Sequence, residues 1–206
     1  MEYKEITRGG EAIVVEKKSR FIAYVEKAAT EEEAVAYIEK IKKENYDARH
    51  NCFAYSVGEG QPNCRFSDDG EPQGTAGKPI LEVINGSEIK NICIVVTRYF
   101  GGTLLGTGGL VRAYTEAAKQ GIEQCQIGIK TLVIPIAITT EYSDMGNVQY
   151  ILENGNVSVE NKDYLEKVKI NAFVSVDNIE TVLGKLVEVT SGKIVIEKSD
   201  EIYKTI

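Results

Sequence analysis

The chain is poor in the residues that most often carry chemistry. It has one histidine, His50, in 206 residues, no tryptophan, two methionines and four prolines. A single imidazole excludes a multi-histidine metal centre and any catalysis that needs two imidazoles. The four cysteines, Cys52, Cys64, Cys93 and Cys125, form no Cys-x-x-Cys pair. That removes a zinc ribbon and a dithiol redox motif and leaves them as reduced, small core residues. No apolar run approaches the roughly 20 residues that cross a bilayer. The start, Met1-Glu2-Tyr3-Lys4-Glu5, carries acids and no following apolar block, so it does not read as a secretory signal, and the expected location is the cytoplasm. Basic charge is short too, with 24 Lys+Arg against 31 Asp+Glu and a net charge of -7. This argues against indiscriminate coating of nucleic acid, where affinity comes from phosphate neutralisation. The deficit is uneven: residues 136–206 carry net -5 and residues 1–135 only -2, so a local basic groove has room in the first part alone.

What is present is enough for packed cores, 43% hydrophobic and 27% charged residues, in a length that suits two modest domains. Strands are predicted over 11–16 and 20–27, then a helix opened by Thr30-Glu31-Glu32-Glu33, a capping-box pattern, with Ala34, Tyr37, Ile38 and Ile41 on one face. A strand over 48–57 leads into a long polar stretch, 58–77, expected to be a functional or mobile loop. Next come a helix over 77–85 with Pro79 in its first turn, a buried strand over 92–97, and a helix over 108–125 with Leu110, Val111, Tyr114, Ala117 and Ala118 as its apolar stripe. The pattern changes near Thr131, where the domain boundary is placed, giving domains 1–130 and 131–206. The strand over 132–140 contains Pro135, which predicts a strand start or a sheet edge. A helix over 143–154 stops at Gly155, strands follow at 156–161 and 165–176, Asp177 and Glu180 cap another helix ending near Gly192, and a strand covers 193–203. The order β-α-β-β-α-β is the split βαβ of a ferredoxin-like sandwich, and the fold class is α+β.

Three stretches hold candidate chemistry. In Ser67-Asp68-Asp69-Gly70-Glu71-Pro72-Gln73-Gly74-Thr75-Ala76-Gly77-Lys78-Pro79, carboxylates and glycines precede a helix. Carboxylates collect cations or exchange protons, and exposed helix-start amides attract anions, so a phosphate, a metal or both would fit there. The plainer reading is a solvated loop whose acids cap the helix and whose glycines make turns. Arg98-Tyr99-Phe100-Gly101-Gly102-Thr103-Leu104-Leu105-Gly106-Thr107-Gly108-Gly109-Leu110-Val111-Arg112 joins a buried strand to a helix, and its glycines match neither the Walker nor the dinucleotide pattern. Arg98 and Arg112 suit a phosphate, and Tyr99 or Phe100 a base; alternatively the aromatics are core and the arginines pair with Asp68, Asp69 or Glu71. In Asp47-Ala48-Arg49-His50-Asn51-Cys52, the imidazole and thiol two residues apart share a strand face, yet a hydrogen-bonded structural His50 is the favoured reading over a catalytic pair.

Taken together, the segments 47–55, 67–79 and 98–114 resemble the signature blocks of the YigZ/IMPACT family, and the tail resembles the small second domain of its bacterial two-domain members. The resemblance implies a first domain like ribosomal protein S5 domain 2 and a ferredoxin-like second domain similar to the C-terminal domain of elongation factor G. It also implies a link to translational regulation, without an attached chemistry. Eukaryotic IMPACT has an additional N-terminal partner-binding domain that this chain is expected to lack, so that partner is not carried over. The leading expectation is a non-enzymatic protein that binds RNA or a ribosome-associated factor. Arg49, Arg65, Lys78, Arg98 and Arg112 would make the contacts around Gly74, Thr75, Gly77, Gly101, Gly102, Gly106, Gly108 and Gly109. The rival is a metal-dependent hydrolase or phosphoryl-transfer enzyme on a small phosphate-bearing or peptide-like substrate. Asp68, Asp69 and Glu71 would then place a divalent cation such as magnesium, and His50 would exchange protons. A third is a protein-interaction adaptor using the acidic second domain.

Overall fold

The computed structural model describes residues 2–58 and 60–205. In chain order it has β1 (Glu2–Arg8), β2 (Gly10–Glu16), β3 (Ser19–Lys27), α1 (Glu31–Glu44), β4 (His50–Val57), β5 (Asn63–Ser67), α2 (Gly77–Ser87), β6 (Ile89–Lys90), β7 (Ile92–Tyr99) and α3 (Gly106–Glu123). There follow β8 (Gln126–Thr140), a 3-10 turn (Tyr142–Asp144), α4 (Met145–Asn154), β9 (Ser158–Tyr164), β10 (Val168–Ser175), α5 (Ile179–Val189), β11 (Val195–Lys198) and β12 (Ile202–Thr205). The class is α+β, in two compact units: Tyr3–Gly128, and Ile129–Ile206 with the first two residues.

The larger unit is built on a five-stranded antiparallel sheet in the order β2-β3-β7-β4-β5. β7 lies at its centre and is buried on both faces. Ile92, Ile94 and Val96 pack with Ile80 and Ile84 of α2 and Tyr114 and Ala117 of α3. Cys93 and Val95 pack with Ala34, Ile38 and Ile41 of α1. Two covered faces explain why this strand reads as a continuous apolar run with no alternation. α1 begins as its sequence predicts, with Thr30 Oγ1 accepting from Glu33 N–H at 3.3 Å, although Glu33 reaches back to the Ala29 N–H rather than to Thr30. Acids Glu31 to Glu33 in its first turn and Lys42 and Lys43 in its last complement the helix dipole.

The polar stretch 58–77 is not all loop, because its middle forms β5, the edge partner of β4. Four of its five residues are exposed, and a strand with little apolar content carries no clear alternation to detect.

The smaller unit has sheet order β9-β10-β8, with β11 and β12 both on the far side of β8, all pairs antiparallel. α4 and α5 cover one face through Val148, Leu152, Val182 and Leu186. The element order and strand order are those of a ferredoxin-like sandwich. Pro135 corrects the edge expectation: β8 has neighbours on both sides. Phe173 of β10 faces Pro135 on one side, and Pro135 O accepts from Ser199 N–H at 3.0 Å on the other. A residue's N and O point the same way in an antiparallel strand, so the missing N–H falls in the gap between β11 and β12, where no partner needs it. The predicted final strand is therefore two strands. α5 starts at Ile179 with Asn178 in the cap position and no side-chain cap bond, so Asp177 does not cap it, while Glu180 lies in its first turn.

Ile94 is fully buried at the sheet centre. Ile94→Ala is expected to lower the unfolding free energy by about 2–5 kcal/mol, read from the denaturant midpoint at unchanged slope.

Candidate functional site

One end of the larger sheet brings the three stretches together. Arg98 at the end of β7 faces His50 at the start of β4 and Phe21 of β3, and Tyr99 faces Arg20. The loop 68–76 is fastened onto this end by its own carboxylates. Asp68 accepts from Gly74, Ala76 and Gly77 N–H at 2.8, 3.0 and 2.8 Å, so it caps α2 from a distance where Ala76 supplies no cap. Gly77 is required here because a Cβ would lie 2.7 Å from the Ser67 backbone. Asp69 Oδ2 accepts from Asn51 N–H at 2.7 Å, and its carbonyl lies 2.9 Å from His50 Nδ1. A carbonyl only accepts, so that ring nitrogen carries the proton.

Glu71 occupies the centre. Its Oε1 accepts from Arg98 Nη1 at 2.7 Å and from Tyr114 Oη at 2.8 Å, with side-chain exposures of 3% for Glu71 and 8% for Arg98. The guanidinium lies 5.5 Å from the Phe21 ring centre and 5.6 Å from that of Phe100, and its Nε is buried with no hydrogen-bond partner. One carboxylate thus joins the loop, the central strand and α3. Cys52 Sγ lies 2.9 Å from the Asp68 carbonyl and 3.4 Å from Tyr114 Oη, and burial pushes both the thiol and the phenol well above their ordinary pKa.

The sequence-predicted residues therefore divide. His50, Asp68, Asp69, Glu71, Gly74, Thr75, Gly77 and Arg98 meet, yet mostly to hold one another. Thr75 donates to the Pro72 carbonyl at 2.6 Å. The three acids do not form a metal site: among the described residues no group of three or more His, Cys, Asp or Glu side chains is placed to hold one. Each carboxylate has a separate structural load, and the Cys52 thiol is turned to the loop carbonyl instead of serving His50. Arg65 is elsewhere, on β5, where it donates to Glu31 at 2.9 Å; hydrogen bonds from Tyr55 and Arg65 hold the Glu31 carboxyl below its ordinary pKa. Arg112 lines a groove with Glu16 and Glu116.

Outside this buried network lies an open surface. Gly101 packs on the β2–β3 turn so closely that a Cβ would lie 2.0 Å from Lys18 carbonyl carbon, and its N–H donates to Ser19 Oγ at 3.1 Å. Phe100 is 51% and Leu104 84% exposed. Gly102, Gly106, Thr107 and Gly108 are exposed and Gly109 half-buried. α3 starts in this segment with no side-chain cap and no acid in its first turn, leaving its amino end suited to an anion. Lys18, Arg20, Arg49 and Lys78 are exposed on the segments that meet here, Arg20 with its guanidinium 4.9 Å from the Tyr99 ring centre. Sequence reading passed over Lys18, Arg20 and Tyr114. For Tyr114 a signal existed: a hydroxyl in an otherwise alanine-rich apolar stripe must find a partner when buried.

Two outcomes test this geometry. Glu71→Gln leaves the Arg98 charge buried without its partner and is expected to cost about 3–5 kcal/mol, while Glu71→Leu with Arg98→Met costs less than either single change in a denaturation cycle. In native protein at pH 8, iodoacetamide is expected to label Cys64, which is exposed, and to leave Cys52 and Cys93 unmodified, Cys93 being pushed up to about 12 by burial; mass spectrometry reads the sites.

Comparison with known proteins agrees with the architecture. The Impact N-terminal domain model matches residues 17–122, and a domain of unknown function (DUF1949) matches residues 138–193. The chain is 36% identical over 201 residues to the IMPACT family member YvyE of Bacillus subtilis, covering 98% of this chain and 93% of the relative. It is 36% identical over 180 residues to the IMPACT family member YigZ of Escherichia coli, covering 86% and 88%. A solved structure titled as that of a hypothetical protein superposes with a TM-score of 0.62 at 33% identity, over 97% of this chain and 98% of the other. With both segments matched and relatives aligned along nearly its whole length, the chain belongs to the IMPACT family.

Proposed function

We propose that this protein binds RNA, alone or within a ribonucleoprotein, in the cytoplasm, through the open glycine-rich end of the larger unit and in connection with translation. The observation that carries the reading is the amino end of α3: uncapped, free of acid, and preceded by exposed glycines and an exposed Phe100. Free amides and Lys18, Arg20, Arg49 and Lys78 suit backbone phosphates, and an aromatic ring held over a guanidinium suits an unstacked base. Single-stranded RNA meets both demands, whereas a duplex hides its base faces. The metal-dependent alternative has less support, because Asp68, Asp69 and Glu71 are spent on the loop, the strand and Arg98.

Binding is expected to fall with salt at a modest slope of log affinity on log concentration, about -2 to -3 for about four phosphate contacts. Lys18→Glu with Arg49→Glu is expected to abolish most of the binding of a labelled single-stranded RNA in fluorescence anisotropy, and Phe100→Ala to cost about 1 kcal/mol or more at unchanged salt slope. Absence of binding at low salt, or unaltered affinity in the charge-reversed variant, would overturn the reading. Arg98 is unsuited to this test, since its removal strands Glu71 in the core.

A further inference from the structure

β2 is the outermost strand of the larger sheet and pairs with β3 in an unbroken register from Gly10↔Val25 to Glu16↔Ser19. An edge of this kind is normally blunted by an inward charge, a proline or a bulge. None is present: the inner residues are Ala12, Ile13, Val14 and Val15, and Ile13 and Val15 are 54% and 62% exposed within the full chain. They share one face with Glu11, and Lys17, the first residue of the following turn, leaves the strand conformation (φ 45°) at the end of the row.

That row, acid, apolar, apolar, base, is complementary to its own reverse. Set antiparallel to itself about Val14, the strand places Glu11 opposite Lys17 and Ile13 opposite Val15, each pair occurring twice. Shifting the centre to Ile13 leaves Glu11 facing Val15 and Lys17 facing Gly9, and shifting it to Val15 leaves Lys17 facing Ile13. A shift by a single residue puts Glu11 against Glu16 and exchanges the faces of the two rows. Only the register about Val14 matches both charge and apolar surface. On the other face Val14 meets its own copy beside a groove of about 410 Å³ lined by Val14, Val111 and Ala113 together with Glu16, Arg112 and Glu116.

We propose that β2 is a self-association edge, at which a second copy of this chain adds its own β2 antiparallel, centred on Val14, to join two five-stranded sheets into one. The partner is a second copy because the edge's own charges and apolar residues supply the complement, and a two-fold contact uses each pair twice. This does not depend on the proposed RNA site, since Lys18 and Arg49 take no part in the pairing.

The test is light scattering on the full chain, eluted from a sizing column over a concentration series. The wild-type chain is expected to dimerise at high concentration and dissociate on dilution. Ile13→Lys with Val15→Lys is expected to be monomeric throughout, with an unchanged circular dichroism spectrum and melting point because both side chains are exposed. Glu11→Lys alone and Lys17→Glu alone each oppose like charges twice and are expected to weaken the dimer about tenfold, and the two together to restore it. A wild-type monomer at the highest concentration would overturn the proposal. So would a dimer that survives the double lysine variant, or a charge swap that dimerises no better than the single reversals.

Discussion

The ion pair between Glu71 and Arg98 is the constraint on which one end of the larger sheet depends. A carboxylate and a guanidinium that are 3% and 8% exposed are expensive to take out of water, and that cost is offset only when geometry is close and the remaining lone pairs are used. Here the same oxygen also accepts from Tyr114, so strand, loop and helix are tied at one point. The ring centres of Phe21 and Phe100 lie 5.5 and 5.6 Å from the guanidinium. Removing any one member leaves the others uncompensated, which makes the arrangement a specifier of loop position more than a source of net stability.

Around that point the backbone is pinned by close approach. Gly77 lies against Ser67 of β5 and Gly101 against Lys18 of the β2–β3 turn, so the loop before α2 and the loop before α3 both rest on backbone where no side chain fits. Asp68 then satisfies the amides at the start of α2, while no side chain does so for α3. The two helix starts are chemically unlike as a result. One is closed by an internal carboxylate, and the other has neither a side-chain cap nor an acid in its first turn.

Much of the architecture was legible in the sequence because it follows from local periodicity. The covered strand predicted over 92–97 declares itself by the apolar run 92–96, and α1 by its cap and by the spacing of Ala34, Ile38 and Ile41. β5 was missed because an exposed edge strand has no buried face to imprint on its residues. Pro135 misled because proline forbids a donor, not a neighbour; a central strand accommodates it when the partner on that side breaks at the same point. In the site, the alternative in which the arginines pair with the loop acids holds for Arg98 and Glu71, while Phe100, expected in the core on that alternative, is exposed.

The sequence by itself determined the class of fold and the order of most of its elements, since each rests on residue type and spacing within a few turns or strands. Only the tertiary structure decided what the charged residues do. Asp68, Asp69 and Glu71 look like equivalent acids along the chain, but their partners come from Ala76 and Gly77, from Asn51, and from Arg98 and Tyr114 respectively. A carboxylate's role depends on which donor lies within about 3 Å, and that distance is set by how strands far apart in sequence are laid side by side.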